Sequence, residues 1–166
     1  MSTNSMSRRA ALAGIAAVAA ASGCNDEEIP APRVPATPQI HAMERRMFEL
    51  VNRDRAANGK PPLTYDEKLA DIARAHAADM RDANYFAHDS PRYGTLDDRI
   101  ARAGVSFATA RENLAEAPTV EEAEQNLLKS PGHFANLVAD DVSHVGVGIV
   151  KGGVEHPNMF VFVQVF

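Results

Sequence analysis

The apolar residues of this chain change their spacing near residue 145, and that change constrains the fold more than any other feature. Between residues 43 and 129 apolar side chains recur at helical spacing, which is typical of amphipathic helices. Further on, Val145 and Val147 alternate with glycines that allow close backbone approach in a strand, and residues 159–166 are rich in β-branched and aromatic side chains. Glycine, proline and asparagine separate these two segments. We therefore predict an antiparallel hairpin of two C-terminal strands.

Segments with the spacing of helices precede this hairpin. Thr64, Thr95 and Thr119 stand where helix-capping residues are expected, each with an acidic residue three positions later. A third strand is predicted around residues 113–116. About four helices around a small antiparallel sheet predict an α+β domain, of which a three-layer α-β-α sandwich is one form. The predicted helices cover residues 43–57, 66–80, 95–103 and 119–129.

The N-terminus, residues 1–23, has the pattern of an export signal rather than of a domain. Arg8 and Arg9 precede an uncharged alanine-rich stretch that is shorter than the roughly 20 residues of a membrane-spanning helix. Ala21-Ser22-Gly23-Cys24 is similar to a lipobox, which predicts cleavage before Cys24 and lipidation of its thiol. The alternative is that Cys24 is an incidental thiol behind a signal cut elsewhere. The paired arginines leave both the general and the twin-arginine export routes open.

Residues 24–40 are expected to form a tether and residues 41–166 the folded domain. The tether contains four prolines and no periodic apolar face. We therefore expect an exported lipoprotein, anchored to the cell envelope through lipid on Cys24 and facing the periplasm or the outside.

The composition of the domain bears on its disulfides and on the classes of partner that it can bind by charge. Cys24 is the only cysteine, so the domain is expected to fold without an internal disulfide. Without residues 1–23, 15 basic side chains remain against 22 acidic ones, a net charge near −7. Such a charge disfavours nucleic acid and argues against binding an anionic bilayer surface by charge.

Six short segments together resemble the bacterial SCP-like extracellular domains of the CAP superfamily. In chain order they are Asn-Arg-Asp-Arg at 52–55, Leu-Thr-Tyr-Asp at 63–66, Phe-Ala-His-Asp-Ser-Pro at 86–91, Glu-Asn-Leu-Ala at 112–115, Ser-Pro-Gly-His-Phe-Ala-Asn at 130–136 and Val-Gly-Val-Gly at 145–148. Each segment alone is weak evidence for this family, but the occurrence of all six in this order is specific to it. The match covers nearly all of residues 43–166.

The resemblance implies an α-β-α sandwich with a surface cavity that bears His88, Glu112 and His133. These residues are 24 and 21 positions apart, so only a fold could bring them together. Two imidazoles and a carboxylate suit zinc or another divalent metal. Without metal, a histidine oriented by the glutamate could relay a proton. A third interpretation is a polar network that holds three loops together and binds nothing.

The residues favour binding over catalysis because the chain offers no convincing nucleophile. Ser90 and Ser130 each precede a proline in a predicted turn, and neither a Gly-x-Ser-x-Gly nor a His-Glu-x-x-His motif occurs. The expected function is thus a binding module for a lipid, a peptide or an envelope polymer. A metal-dependent hydrolase that acts on an envelope or peptide substrate is the alternative.

Other residues near these motifs are predicted to act around the site or in the structure. Arg111 is expected to place a cation beside the Glu112 carboxylate, and Phe134 to remove a donor from the cavity rim. His76 lies on an apolar helical stripe and is interpreted as a core histidine. The glutamates of the fourth helix, including Glu124, are interpreted as capping or solvent-facing residues.

Overall fold

The computed structural model describes residues 32–154 and 156–166, which form five helices and four strands. The predicted export signal, residues 1–23, and the predicted lipidation site Cys24 lie outside the described residues. No described helix is both long and apolar enough to cross a bilayer. The elements, in chain order, are α1 (Pro38–Ala57), β1 (Thr64–Tyr65), α2 (Glu67–Ala83), α3 (Leu96–Arg102), β2 (Glu112–Ala117), α4 (Val120–Lys129), α5 (Pro131–Leu137), β3 (His144–Lys151) and β4 (Phe160–Val165).

The four strands form one sheet in the order β1-β3-β4-β2. Strands β3 and β4 are the predicted antiparallel hairpin, with Gly146 opposite Val165. The predicted third strand, β2, pairs antiparallel with β4, so that Glu112 also lies opposite Val165. The sheet is mixed rather than only the predicted small antiparallel one, because β1, a short strand that was not predicted, pairs parallel with β3 over Thr64 and Tyr65.

Helices cover both faces of the sheet, which confirms the three-layer α-β-α arrangement. One core lies between the sheet and α2 with α3, and the other between the sheet and α1, α4 and α5. Alternate residues of β3 supply both cores, since Val147 faces the second and Val150 the first. This two-sided burial gives the domain a substantial core without a disulfide.

Two glycines of β3 set the distance between the sheet and α2. A Cβ atom on Gly146 would overlap the backbone of Leu69 and Ala70, and one on Gly148 would overlap the backbone of Ala73 and Arg74. Glycine is therefore required here for close backbone approach, as the Val-Gly-Val-Gly pattern indicated. The close contact fixes α2 against the middle of the sheet.

Helix α1 begins at Pro38, five residues before the predicted start, because Thr37 caps it. The Thr37 hydroxyl accepts a hydrogen bond from Ile40 N at 3.2 Å, and Pro38 takes the first helical position, where no backbone donor is needed. The predicted boundary between tether and domain, at residue 41, thus falls inside α1. The preceding chain also packs on the domain, since Arg74 Nη1 donates to Val34 O at 3.4 Å.

Two further boundaries differ from the prediction. Helix α2 is capped by Asp66, whose Oδ1 accepts from Lys68 N and Leu69 N, while Thr64 belongs to β1. Ser130 ends α4 and also begins a fifth helix, α5, with Pro131 in its first turn. The predicted caps Thr95 and Thr119 are confirmed, because their hydroxyls accept from Asp98 N and Glu122 N.

Candidate functional site

Glu112, the first residue of β2, is the centre of a buried polar site. Its side chain is 3 % exposed and lies on the sheet face that α2 and α3 cover. Oε1 accepts a hydrogen bond from His88 Nδ1 at 2.9 Å, and Oε2 accepts one from Arg99 Nη2 at 2.6 Å. A buried carboxylate is costly unless it is paired, and Glu112 is paired on both oxygens.

His88 stands at the outer edge of this site. Its side chain is 56 % exposed and is carried by the loop between α2 and α3. The hydrogen bond to Glu112 raises the pKa of His88, while partial burial and the Arg99 charge oppose that rise. Since Nδ1 is bound to the carboxylate, Nε2 is the nitrogen that remains for a ligand or a proton acceptor.

Arg99 holds Glu112 and the His88 loop together. From helix α3, its Nη1 donates to His88 O at 2.9 Å while its Nη2 donates to the carboxylate. The guanidinium is almost entirely buried. Sequence reasoning gave Arg99 no role in the site, because a charged residue on a short helix is usually solvent-facing.

His76 of α2 closes the inner side of the site. It is buried, as its apolar stripe indicated, and Nε2 bonds to Ala87 O at 3.0 Å, which leaves Nδ1 without a partner among the described residues. Its Nε2 lies 3.9 Å from Glu112 Oε1. Burial lowers the pKa of His76 to about 4, so the ring is neutral near pH 7. His76 therefore supports the loop of His88 rather than supplying charge.

Asp79 anchors the other end of the His88 loop to α2. Its Oδ2 accepts from Ser90 Oγ at 2.7 Å and also from the Tyr85 hydroxyl. Ser90 Oγ in turn accepts from Tyr93 N at 2.8 Å. The serine thus has the turn role that its position before a proline indicated. These bonds hold the loop in place on both sides of His88.

His133 approaches from the other face of the sheet, on α5. Asn113, which follows Glu112 and points to the opposite face, donates from Nδ2 to His133 O at 3.1 Å. Asn136 Nδ2 donates to Asn113 Oδ1 at 3.0 Å and to Glu112 O at 3.1 Å. Burial lowers the pKa of His133, and the nearby His88 lowers it further. These bonds fix α5 against β2.

The structure brings two of the three predicted site residues into direct contact. His88 and Glu112 are hydrogen-bonded, whereas His133 forms no hydrogen bond or ion pair with Glu112 in the described part of the chain. Within residues 32–154 and 156–166, no group of three or more histidine, cysteine, aspartate or glutamate side chains is arranged to hold a metal ion.

An open cavity of about 570 Å³ lies beside His133. Strand β2, helices α4 and α5 and the two loops before α3 and β4 form its wall. The wall combines apolar and polar side chains, as sites for organic ligands do. Its residues are Phe86, Leu114, Ala115, Glu116, Glu122, Asn126, Leu127, Ser130, His133, His156 and Met159.

Two expectations about charged neighbours of the site are wrong. Arg111, which precedes β2, pairs with Asp141 at 2.8 Å and not with Glu112. The cation beside Glu112 is Arg99. Glu124 is not solvent-facing but 1 % exposed, and its Oε2 accepts from Gln164 Nε2 at 2.8 Å.

Known proteins share this fold and sequence pattern. Residues 48–166 match the model of the cysteine-rich secretory protein family, CAP. The chain is 41 % identical over 115 residues to uncharacterized protein YkwD of Bacillus subtilis, covering 69 % of this chain and 45 % of that protein. It is 36 % identical over 110 residues to the uncharacterized membrane protein YlbC of B. subtilis, covering 64 % and 31 %.

A solved structure has the same fold. An extracellular protein with an SCP domain from Bacillus anthracis superposes with a TM-score of 0.69 at 36 % identity, over 80 % of this chain and 44 % of that one. The chain thus spans less than half the length of each of these three relatives.

Proposed function

Because the chain belongs to the CAP family, we propose that it is an exported domain that binds a ligand in the cavity beside His133. One observation carries this proposal: a cavity of about 570 Å³ is open to solvent and has both apolar and polar walls. Its size and mixed lining suit part of a lipid, a peptide or an envelope polymer. The extracellular B. anthracis protein and the B. subtilis membrane protein support a place in the cell envelope.

The polar groups next to the cavity favour binding over turnover. Glu112 is already engaged by His88 and Arg99, and Ser130 is the N-cap residue of α5. No serine or threonine among the described residues bonds to His88 or His133. A binding module needs none of these groups to react.

Zinc binding by His88, Glu112 and His133 is a proposal that requires a rearrangement, because the present positions of these residues do not fit a metal. Oε1 of Glu112 is bound to His88 Nδ1, and Oε2 to the Arg99 guanidinium. Zinc needs deprotonated donors that converge on one point. The carboxylate would therefore have to give up one of these hydrogen bonds before it could act as a ligand.

Hydrolysis is the second candidate, and the His88–Glu112 pair is the observation that favours it. The glutamate holds Nδ1 of a half-exposed histidine, so Nε2 could accept a proton from water or from a substrate hydroxyl. This relay requires no metal. Turnover of an envelope or peptide substrate that is lost in His88→Gln, with saturable binding retained, would favour the hydrolase.

A cavity-filling variant tests the binding function. Asn126 is an exposed residue of α4 that lines the cavity, whereas its exposed neighbour Gln125 does not. We expect the neutral dye Nile red to bind the wild type saturably, Asn126→Trp to reduce that binding at least about tenfold, and Gln125→Trp to preserve it. No saturable signal, or equal signals from both variants, would overturn the proposal.

A further inference from the structure

The ionisable side chains that line the cavity are glutamates and histidines. Glu116 and Glu122 line it, and no lysine or arginine among the described residues does. The chain as a whole is also acidic, with a formal net charge of −5. A ligand that reaches this cavity therefore meets a negative local field.

Glu116 presents a fixed carboxylate to the cavity. It is half-buried on β2, where Oε2 accepts from Val154 N at 3.0 Å and Oε1 from His156 N at 3.1 Å. Both partners are backbone amides of the loop between β3 and β4. No ion pair of the described residues involves Glu116, so its charge is held in place without being neutralised by a cation.

Glu122 contributes a second carboxylate from the first turn of α4. Its neighbour Glu121 is paired with Arg46 at 3.0 Å, away from the cavity. Glu122 has no such partner among the described residues, and its side chain is exposed. The helix therefore offers two adjacent glutamates, of which only Glu122 lines the cavity.

The remaining wall of the cavity is apolar or uncharged. Phe86 exposes 44 % of its surface, and Leu114, Leu127 and Met159 lie on the same lining. An anionic headgroup or a free fatty acid would face two carboxylates and, among the described residues, no lysine or arginine to balance its charge.

We propose that the cavity binds a peptide segment that presents a lysine side chain beside an apolar residue. The ammonium group has three donors for Glu116 and Glu122, and the lysine stem can cover the apolar wall. This inference rests on the proposed binding function and specifies its ligand class. Phosphate-bearing lipids and anionic polymers are the classes that it disfavours.

The test compares three peptides that differ at one side chain. Acetyl-Ala-Leu-Lys-Phe-Ala-amide, the same peptide with an acetylated lysine, and the version with glutamate in place of lysine are titrated by calorimetry at 50 mM salt. We expect the lysine peptide to bind at least about tenfold more tightly than the acetylated one, and the glutamate peptide to bind weakest. Higher salt should reduce the preference because it screens exposed charges.

Glutamine variants identify the source of the preference. Glu122→Gln and Glu116→Gln should each reduce the advantage of the lysine peptide severalfold, while Glu121→Gln, the matched control on α4, should preserve it. Thermal melting shows whether Glu116→Gln disturbs the loop that it holds. For that reason Glu122→Gln, at an exposed position, is the decisive variant.

The outcomes separate this inference from the binding function itself. Equal binding of the lysine and acetyl-lysine peptides, or a preference that survives in the double glutamine variant, would overturn the inference. If Nile red occupies the cavity but no peptide does, the inference also fails while the binding function stands. Failure of Nile red and of all peptides would overturn both.

Discussion

His88 and Glu112 are 24 residues apart in the chain, yet His88 Nδ1 lies 2.9 Å from Glu112 Oε1. The contact forms because β2 starts beside the loop that leads from α2 to α3. It joins a half-exposed histidine to a buried carboxylate, so each residue depends on the other. The histidine gains a fixed orientation, and the carboxylate gains a partner that can carry positive charge.

Glu112→Gln should lower the pKa of His88, because the hydrogen bond to the carboxylate is the main cause of its raised value. In the wild type this raised pKa stabilises the folded protein below the unfolded pKa of about 6.5, and that stabilisation is lost as the pH rises through the folded pKa. NMR titration of the His88 ring measures the change. Glu116→Gln is the control, and an unchanged His88 titration in Glu112→Gln would contradict the prediction.

Arg99→Met should destabilise the domain by about 3–5 kcal/mol, because it leaves the buried Glu112 without its closest partner. Arg102→Met, at an exposed position of the same helix, should change the free energy of unfolding by no more than about 0.5 kcal/mol. Urea unfolding measures both. The double variant Arg99→Met/Glu112→Leu should recover part of the loss, and a loss as large as in Arg99→Met alone would argue against the unpaired-charge explanation.

The sequence predicted the parts of the fold that depend on local pattern. The hairpin, the caps Thr95 and Thr119 and the close approach at Gly146 follow from periodicity, side-chain chemistry and the lack of a Cβ atom. Strand β1 was missed because two residues have no detectable period. Helix α5 was missed because Ser130 and Pro131 both end one helix and begin the next.

The candidate site was only partly predictable for a different physical reason. The motif order indicated Glu112 and His88, but nothing local marks Arg99 and Glu124 as buried, since charged residues on amphipathic helices usually face solvent. Their burial depends on partners from distant strands, Glu112 and Gln164. Such pairings follow from the three-dimensional arrangement and leave no spacing signal in the chain.

Cys24→Ser should release the protein from the membrane fraction, because lipid on this thiol is the proposed anchor. Fractionation of cells that express the full chain, followed by blotting, measures the release. Intact-mass analysis of the mature wild type should find lipid on an N-terminal Cys24. An unmodified N-terminus at another residue would contradict the lipoprotein proposal and would favour cleavage elsewhere.

Zinc provides a test of the proposed metal site. If His88, Glu112 and His133 rearrange to hold it, the melting temperature should rise with free zinc, as for any ligand that prefers the folded state. The rise should weaken below about pH 6 because only neutral imidazole binds metal. His88→Ala or His133→Ala should abolish it, and His144→Ala, at an exposed position in β3, should preserve it. No effect on the wild type would leave the metal-free network as the better explanation.

Glu124 should make the stability of the domain fall as the pH rises. The pKa of this carboxyl is raised from 4.5 to about 7, mainly by burial; the hydrogen bond from Gln164 opposes the rise and the nearby Asp54 carboxylate adds to it. The folded state therefore keeps a proton that the unfolded chain releases. The free energy of unfolding should decrease between about pH 4.5 and pH 7, by an amount on the order of 3 kcal/mol from this group.

Glu124→Gln isolates this effect because glutamine is always neutral and keeps the side-chain shape. We expect the variant to gain stability relative to the wild type at pH 8 and to gain little at pH 4.5. Urea unfolding at both pH values measures the difference, with the exposed Glu122→Gln as a control that should keep the pH profile of the wild type because it retains Glu124. Because Gln164 also accepts from Asn113, which binds the backbone of His133, ionisation of Glu124 acts on the same buried chain that holds α5. A Glu124→Gln variant with the pH profile of the wild type would show that the buried carboxyl stays charged in the folded protein.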